Sequence, residues 1–198
     1  MKTFLENVIL LAFCLIGASS CAAPQDVVDI IYKVNNYWQE QNPKHGRSFW
    51  DNAAYHTGNM EAFFLTGDTA FMDYSKAWAE HNEWKGAKSD NKAEWKYSYG
   101  ESNEYVLFGD YQICFQTYAD LYNIEPDTQK IARAREVMEY QMSTDKNDYW
   151  WWADGLYMVM PVMTKLYKIT GNPLYLDKLH EYWVFADSLM YDPEDALY

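Results

Sequence analysis

The stretch Gly67-Asp68-Thr69-Ala70-Phe71-Met72-Asp73 and its second copy, Gly171-Asn172-Pro173-Leu174-Tyr175-Leu176-Asp177, decide how this chain folds. In each copy a Gly is placed to end one helix in a left-handed turn, and Asp68 or Asn172 then caps the next helix. Pro173 fits the first helical position, where its missing N–H costs nothing. The two copies therefore predict two helical hairpins.

Apolar side chains recur at helical spacing before and after each turn. The helices before the turns are predicted over Ala53 to Thr66 and Asp154 to Thr170. The copies lie 104 residues apart, which leaves room for one more hairpin, predicted over Asp110 to Tyr122 and Ile131 to Met142. A leading helix is expected over Val27 to Gln41. The buried stripes are predicted to hold Phe71, Tyr74, Trp78 and His81 after the first turn, Leu156, Met160, Met163 and Tyr167 before the second, and Tyr175, Leu179, Tyr182, Ala186 and Leu189 after it.

An aromatic residue and an Asp recur at the start of three of these units, as Trp50-Asp51, Phe108-Gly109-Asp110 and Trp152-Ala153-Asp154. Open solenoids and closed α/α toroids both use such hairpins. In a toroid the inner helices converge, so their first residues lie together at one mouth. A solenoid gives little reason for an aromatic–Asp pair to recur at each of these starts. We therefore predict an all-α fold over 26–198, with about three helical hairpins of an (α/α)6 barrel. The polar stretch Lys85 to Asn103 is expected to form a long loop at the rim.

Composition narrows the classes of ligand. Aromatic residues make up 18% of the chain, with 9 Trp and 18 Tyr, and amphipathic rings suit surfaces that stack on sugars. An aromatic-rich core is the alternative explanation. The net charge of −13 disfavours nucleic acid. No Cys/His spacing indicates zinc, and Cys114 is expected to be a core residue on a helix.

The first residues predict export. Residues 1–20 combine a short apolar run with small residues immediately before Cys21, which resembles a bacterial lipoprotein signal with Cys21 as the lipidated residue. A short linker, 21–25, would follow. The expected location is periplasmic or on the outer membrane, with membrane contact only through the lipid. Ordinary cleavage near Ala22 or Ala23 is the alternative.

Asp154 is the strongest catalytic candidate. Asp is a good helix cap, so capping is the plain alternative. A helix N-terminus favours a carboxylate by ~0.3–1 kcal/mol, whereas desolvation raises a carboxyl pKa by several units. If Trp151 or Trp152 partly buries Asp154, desolvation should prevail and make it a proton donor near neutral pH.

The segment Trp150-Trp151-Trp152-Ala153-Asp154-Gly155-Leu156-Tyr157-Met158, with Pro161 and Lys165-Leu166-Tyr167 after it, resembles the unsaturated rhamnogalacturonyl and glucuronyl hydrolases, glycoside hydrolase families 105 and 88. Ala54-Tyr55-His56-Thr57-Gly58 and Gln116-Thr117-Tyr118 match as well. The resemblance covers about residues 30–198. It implies α/α-barrel enzymes of pectin degradation that need no cofactor or metal.

By this resemblance, Asp154 matches the general acid/base and Asp110 a second acid near the reacting ring. The family usually has two adjacent acids at the latter position and a Gly before the Gln, where this chain has Asp110-Tyr111 and Phe115-Gln116. Trp152 would be a stacking platform and Tyr55 or His56 a rim contact. The full set of implied substrate contacts is Trp152, Trp151, Tyr55, His56, Trp50 and Gln116.

The implied reaction hydrates the C4=C5 double bond of a terminal unsaturated uronic acid, and one carboxyl both gives and takes the proton. The family's barrel has six hairpins, so we expect the N-terminal half of such an enzyme, with apolar inner surface exposed and without activity of its own. The alternatives are a non-catalytic glycan-binding surface lipoprotein and another sugar enzyme on the same barrel.

Overall fold

The computed structural model describes residues 24–198, and within that range the chain forms α-helices and no β-strand. The predicted signal peptide, Cys21 and most of the predicted linker lie outside the described residues. None of the described helices is both long and apolar enough to cross a membrane. The helices are α1 (Gln25–Gln41), α2 (Trp50–Thr66), α3 (Thr69–His81), α4 (Gly109–Gln112), α5 (Cys114–Ile124), α6 (Gln129–Met142), α7 (Ala153–Thr170) and α8 (Leu174–Met190).

Helix α1 forms a unit separate from residues 42–198 and is described by itself. It has 17 residues, and none of them is fully buried. Val27, Ile30, Val34 and Tyr37 recur at helical spacing and are exposed. The predicted leading helix is confirmed, and it starts two residues before the expected position.

The two repeated turns have the predicted backbone. Gly67 and Gly171 adopt the left-handed conformation, with φ of 72° and 71°. The Asp68 carboxylate accepts a hydrogen bond from the N–H two residues later at 2.9 Å, and the Asn172 side chain does the same at 3.1 Å. Each turn therefore ends one helix and caps the next, as the repeat predicts.

The hairpins form two layers. The inner helices α2, α5 and α7 pack side by side, with α4 leading into α5 across a break at Ile113. The outer helices α3, α6 and α8 each pack on the inner helix of their own hairpin, and α3 and α6 also contact the next unit. This arrangement confirms three hairpins of a partial helical toroid.

The core lies between the two layers and is rich in rings. Trp78, Trp150, Tyr118, Tyr149, Tyr175 and Tyr182 are among its largest fully buried side chains. Cys114 is buried on α5, as expected. Large apolar side chains are exposed at the end of inner helix α2 and at the start of outer helix α8; they are Phe64, Leu65, Leu174 and Leu176.

Two of the predicted stripe residues do not face the core. His81 and Leu189 are both exposed. Each lies in the last turn of its helix, beyond the part that packs against the inner layer. The other predicted stripe residues are buried or half-buried.

The predicted long loop is confirmed and carries a single 3-10 turn at Lys92–Glu94. Its Trp95 is buried, and the guanidinium of Arg133 lies 4.9 Å from the Trp95 ring centre. The Tyr97 hydroxyl donates to the Asp148 carboxylate at 3.0 Å. The loop is therefore fastened to the outer layer and to the segment that leads into α7.

Candidate active site

The starts of the inner helices lie together at one end of the hairpins. Ring centres of Phe108, just before α4, and Trp152, just before α7, are 5.0 Å apart. Ring centres of Phe49, just before α2, and Tyr111 on α4 are 4.7 Å apart. These aromatic contacts confirm that the three starts gather, and we call this end the mouth.

Trp152 occupies a slot that two glycines leave open. A Cβ on Gly109 would lie 3.0 Å from the Trp152 ring, and one on Gly155 would lie 3.1 Å from it. The ring therefore sets the spacing between α4 and α7. Trp151 is 40% exposed and lies against it with ring centres 4.9 Å apart, while Trp50 is 46% exposed at the start of α2. The accessible indole surface belongs to Trp151 and Trp50 more than to Trp152.

Asp110 is the buried acid of the mouth, with 6% of its surface exposed. Burial raises the pKa of Asp110 to about 6, and the negative charges of Asp154 and Glu101 add to the effect. A carboxyl in this position keeps its proton to a much higher pH than an ordinary Asp. It is therefore suited to proton transfer near neutral pH.

Asp154 lies in the first turn of α7 and is exposed. The expected burial between indole rings is wrong, because the Trp152 ring turns towards Gly109 and Gly155. Asp154 is not the helix cap either, since Trp152 holds that position without a side-chain hydrogen bond. Its carboxylate is accessible and close enough to raise the pKa of Asp110.

A third carboxylate, that of Glu101, joins this group from the long loop. Arg47 Nη1 donates to Glu101 Oε2 at 2.8 Å, and the guanidinium lies 4.2 Å from the Phe49 ring centre. The Tyr111 hydroxyl donates to the Glu101 carbonyl. The loop thus brings one carboxylate to the mouth beside Asp110, and the guanidinium of Arg47, just before α2, pairs with it.

Gln116 is buried, with its amide turned into the helix layer. Its Nε2 donates to the carbonyls of Tyr157 and Met158, both at 2.9 Å. A helical carbonyl normally accepts from the N–H four residues later, and for Tyr157 that residue is Pro161, which has no N–H. Gln116 replaces the missing donor. Its NH2 group therefore bonds to the backbone of α7 and does not make the expected substrate contact.

His56 is a core residue. Only 3% of it is exposed, its ring stacks on Trp78 with centres 4.0 Å apart, and Nδ1 is 3.1 Å from the Ser75 hydroxyl. Burial lowers the pKa of His56 to about 3, helped by the charge of His45. The expected rim position is therefore wrong for His56. Tyr55 is half-buried, with its ring against those of His56 and Tyr74.

The concave face of the inner layer carries a tyrosine below Asp154. Tyr157 is 55% exposed, and its hydroxyl lies 3.1 Å from that of Thr57 on α2. No group of three His, Cys, Asp or Glu side chains in residues 24–198 is arranged to hold a metal ion. The side chains at the described part of the mouth include carboxyls, hydroxyls and indoles.

The family model described as Glycosyl Hydrolase Family 88 matches residues 25–198. This chain belongs to glycosyl hydrolase family 88. It is 30% identical over 169 residues to a curated relative from Formosa agariphila described as an unsaturated 3S-rhamnoglycuronyl hydrolase, covering 81% of this chain and 43% of the relative. The resemblance inferred from the Trp-rich segment is confirmed.

Two solved structures are similar. A glycosyl hydrolase family 88 protein from Bacteroides vulgatus is 64% identical with a TM-score of 0.84, covering 86% of this chain and 49% of that protein. A protein described as a polysaccharide lyase is 81% identical with a TM-score of 0.85, covering 86% of this chain and 48% of that protein. The chain spans about half the length of each of these two proteins.

Sequence reasoning missed several groups at this family 88 mouth. Glu101 lies inside the long loop predicted over Lys85 to Asn103, but no spacing singled it out. Arg47 carries no motif signal, and Thr57 belongs to the matching segment Ala54-Tyr55-His56-Thr57-Gly58 but was not singled out within it. Pro161 inside a predicted helix was a usable signal, because such a proline leaves a carbonyl that some neighbouring donor must satisfy.

Proposed function

We propose that this chain forms the acidic side of a glycoside hydrolase active site that acts on oligosaccharides ending in a 4,5-unsaturated uronic acid, as in the breakdown of pectin or a similar polysaccharide. One observation carries the proposal. Two carboxyls from different inner helices, Asp110 and Asp154, meet at one mouth, and the pKa of Asp110 is raised to about 6.

The acid pair supplies the proton. Because the ionised forms of Asp110 and Asp154 repel each other, the pair resists losing its last proton as the pH approaches neutrality. Asp154 is the exposed member of the pair, so it is the carboxyl that a sugar seated at the mouth touches. Asp154 is thus the general acid that touches the substrate, and Asp110 is its neighbour.

The reaction balances with one carboxyl. Asp154 gives its proton to C4, and the C4=C5 electron pair forms the new C4–H bond, leaving positive charge on C5 and the ring oxygen. Water adds to C5 and loses a proton to the Asp154 carboxylate, which restores the acid. The product is a hemiketal, whose ring opens to a C5 ketone and releases the following sugar from C1.

Elimination is the second candidate, because one relative is described as a polysaccharide lyase. A lyase acting on a uronic acid removes the C5 proton, breaks the bond to the sugar at O4 and creates the C4=C5 bond. Hydration destroys that bond. The two reactions therefore change the ultraviolet absorbance of the conjugated acid in opposite directions.

The test uses the full gene product with an unsaturated uronyl disaccharide and, separately, an intact uronate polysaccharide. We expect the absorbance of the disaccharide to fall, and Asp154→Asn to abolish the change while binding persists. Asp177→Asn is the matched control, an exposed Asp in the first turn of outer helix α8. A rise in absorbance with the polysaccharide supports elimination, and binding without any change supports a non-catalytic glycan-binding protein. Full turnover by Asp154→Asn refutes the role of Asp154.

We also propose that the protein is exported and anchored through a lipid on Cys21. The small residues before Cys21 support this. Incorporation of labelled fatty acid into the wild type and its loss in Cys21→Ala would be expected. Equal labelling of both proteins would contradict the anchor.

A further inference from the structure

The phenol of Tyr157 is held on the same face of α7 as Asp154, three residues further along the helix. Residues at this spacing have Cβ atoms about 5–6 Å apart. The hydroxyl reaches Thr57 on α2 at 3.1 Å, although α2 and α7 each pack against α5, which lies between them. The Tyr157–Thr57 pair therefore spans the concave side of the inner layer below the acid pair.

The direction of this hydrogen bond is fixed by its neighbour. Thr57 Oγ1 donates its one proton to the carbonyl of Ala54 at 2.8 Å. It can then only accept from Tyr157, so the Tyr157 proton points towards Thr57. The phenol oxygen is left with lone pairs and no proton to offer on its exposed side. It is an acceptor of hydrogen bonds.

The backbone of Tyr157 is also held in place, by a hydrogen bond from α5. The Gln116 amide donates to the Tyr157 carbonyl at 2.9 Å, which compensates for Pro161 one turn later. The backbone of α7 is thereby tied to α5 at the residue that carries the phenol. The acceptor is thus fixed at both its backbone and its hydroxyl.

We propose that Tyr157 determines specificity at this site by accepting a hydrogen bond from a ring hydroxyl of the unsaturated sugar and by disfavouring a sulfate ester there. This inference rests on the proposed function. With C4 and C5 in the double bond, the uronyl ring keeps free hydroxyls only at C2 and C3. A hydroxyl donates to the phenol oxygen, whereas a sulfate brings only acceptor oxygens and negative charge against its lone pairs.

The experiment compares three unsaturated uronyl disaccharides: one unsulfated, one sulfated on O2 of the uronyl ring and one sulfated on O3. kcat/KM and binding by calorimetry are measured for the full gene product and its variants. The wild type is expected to prefer the unsulfated sugar over at least one sulfated form. Tyr157→Phe is expected to lower kcat/KM for the unsulfated sugar roughly three- to tenfold, the range for one neutral hydrogen bond.

The variant Thr57→Val tests whether the direction of the Tyr157 hydroxyl proton matters, because it leaves the phenol itself in place. It removes the acceptor that holds the Tyr157 proton, so the phenol can turn that proton towards the ligand. The preference for hydroxyl over sulfate should then fall below that of the wild type, although the phenol is still present. Thr57→Ser keeps the hydroxyl and should retain the wild-type preference, which distinguishes proton direction from a packing defect.

The outcomes separate this inference from the proposed function. If no disaccharide is turned over, the proposed function fails, and the hydroxyl preference is read from binding alone. If Tyr157→Phe and Thr57→Val both keep the wild-type preference, or if the wild type binds none of the three disaccharides, the inference is overturned. A lost preference in both variants with wild-type behaviour in Thr57→Ser supports it.

Discussion

Asp110→Asn should stabilise the chain at neutral pH and leave it unchanged in acid. The folded state raises the pKa of Asp110 from 3.8 to about 6, so the ionised carboxylate is unfavourable in the fold. Below pH 3.8 the carboxyl is protonated in both the folded and the unfolded state, so it does not lower the free energy of unfolding. As the pH rises from 3.8 through 6, only the folded state keeps the proton, so stability is lost progressively; above pH 6 the loss is complete.

The size of the effect follows from the same two values. They differ by about two pH units, and each unit corresponds to about 1.4 kcal/mol, which gives about 3 kcal/mol. Water near the mouth screens part of this, so about 2 kcal/mol is expected above pH 6. For a chain of this size that corresponds to a rise in Tm of about 4–8 °C.

The measurement is urea or thermal unfolding of Asp110→Asn and the wild type from pH 3.5 to 8. Asparagine keeps the shape of the side chain and removes its charge. Asp177→Asn, which changes an exposed acid, should show no such pH-dependent difference. Equal stability of wild type and Asp110→Asn at pH 7, or a difference that does not grow between pH 4 and 6, would refute the reasoning.

Three further predictions concern the same helices. Asp154→Asn should lower the pKa of Asp110 but leave it above 3.8, because burial is the largest cause of the shift; carboxyl NMR titration measures this. Gly155→Ala should be about 1–3 kcal/mol less stable in thermal unfolding than the same change at Gly58, since the new Cβ at Gly155 would lie 3.1 Å from an indole ring. Gln116→Leu leaves the Tyr157 carbonyl without a donor and should lower the free energy of unfolding in urea by about 1–3 kcal/mol. The loss should be smaller when Pro161→Ala supplies the missing N–H.

Each of these has a control on the same chain. For Gly155, the matched variant is Gly58→Ala, also a helical glycine, where a Cβ would meet nothing within 4 Å; equal effects of the two would count against the indole contact. For Gln116, additive costs in the double variant would show that Pro161 is not its partner. For Asp154, a pKa of Asp110 that does not move would show that the two charges do not interact.

Much of the fold was predictable because it depends on local chemistry. Gly67 and Gly171 sit where only a left-handed residue ends the helix without strain, and Asp68 and Asn172 bond to N–H groups two residues away. The same patterns failed at helix ends such as Leu189, where burial depends on how far the neighbouring element extends.

The candidate site was less predictable because burial is a property of neighbours. The sequence placed Asp154 next to three Trp residues, but the Trp152 ring fills the space beside two glycines and leaves Asp154 exposed. Asp110, with no Trp adjacent to it in the sequence, is the acid that the fold buries. His56 likewise looked like a rim residue, yet it stacks on Trp78 from a different helix.

The pairing of Gln116 with Pro161 makes the contact between α5 and α7 depend on a single residue of α7. As long as the proline is present, the glutamine amide is committed to the carbonyl that the proline leaves without a donor. A single change of Pro161 to a residue with an N–H would close the helix and free the amide from the Tyr157 carbonyl, while its hydrogen bond to the Met158 carbonyl remains. Descendants of this chain could thus change how α5 holds α7 through one substitution on α7.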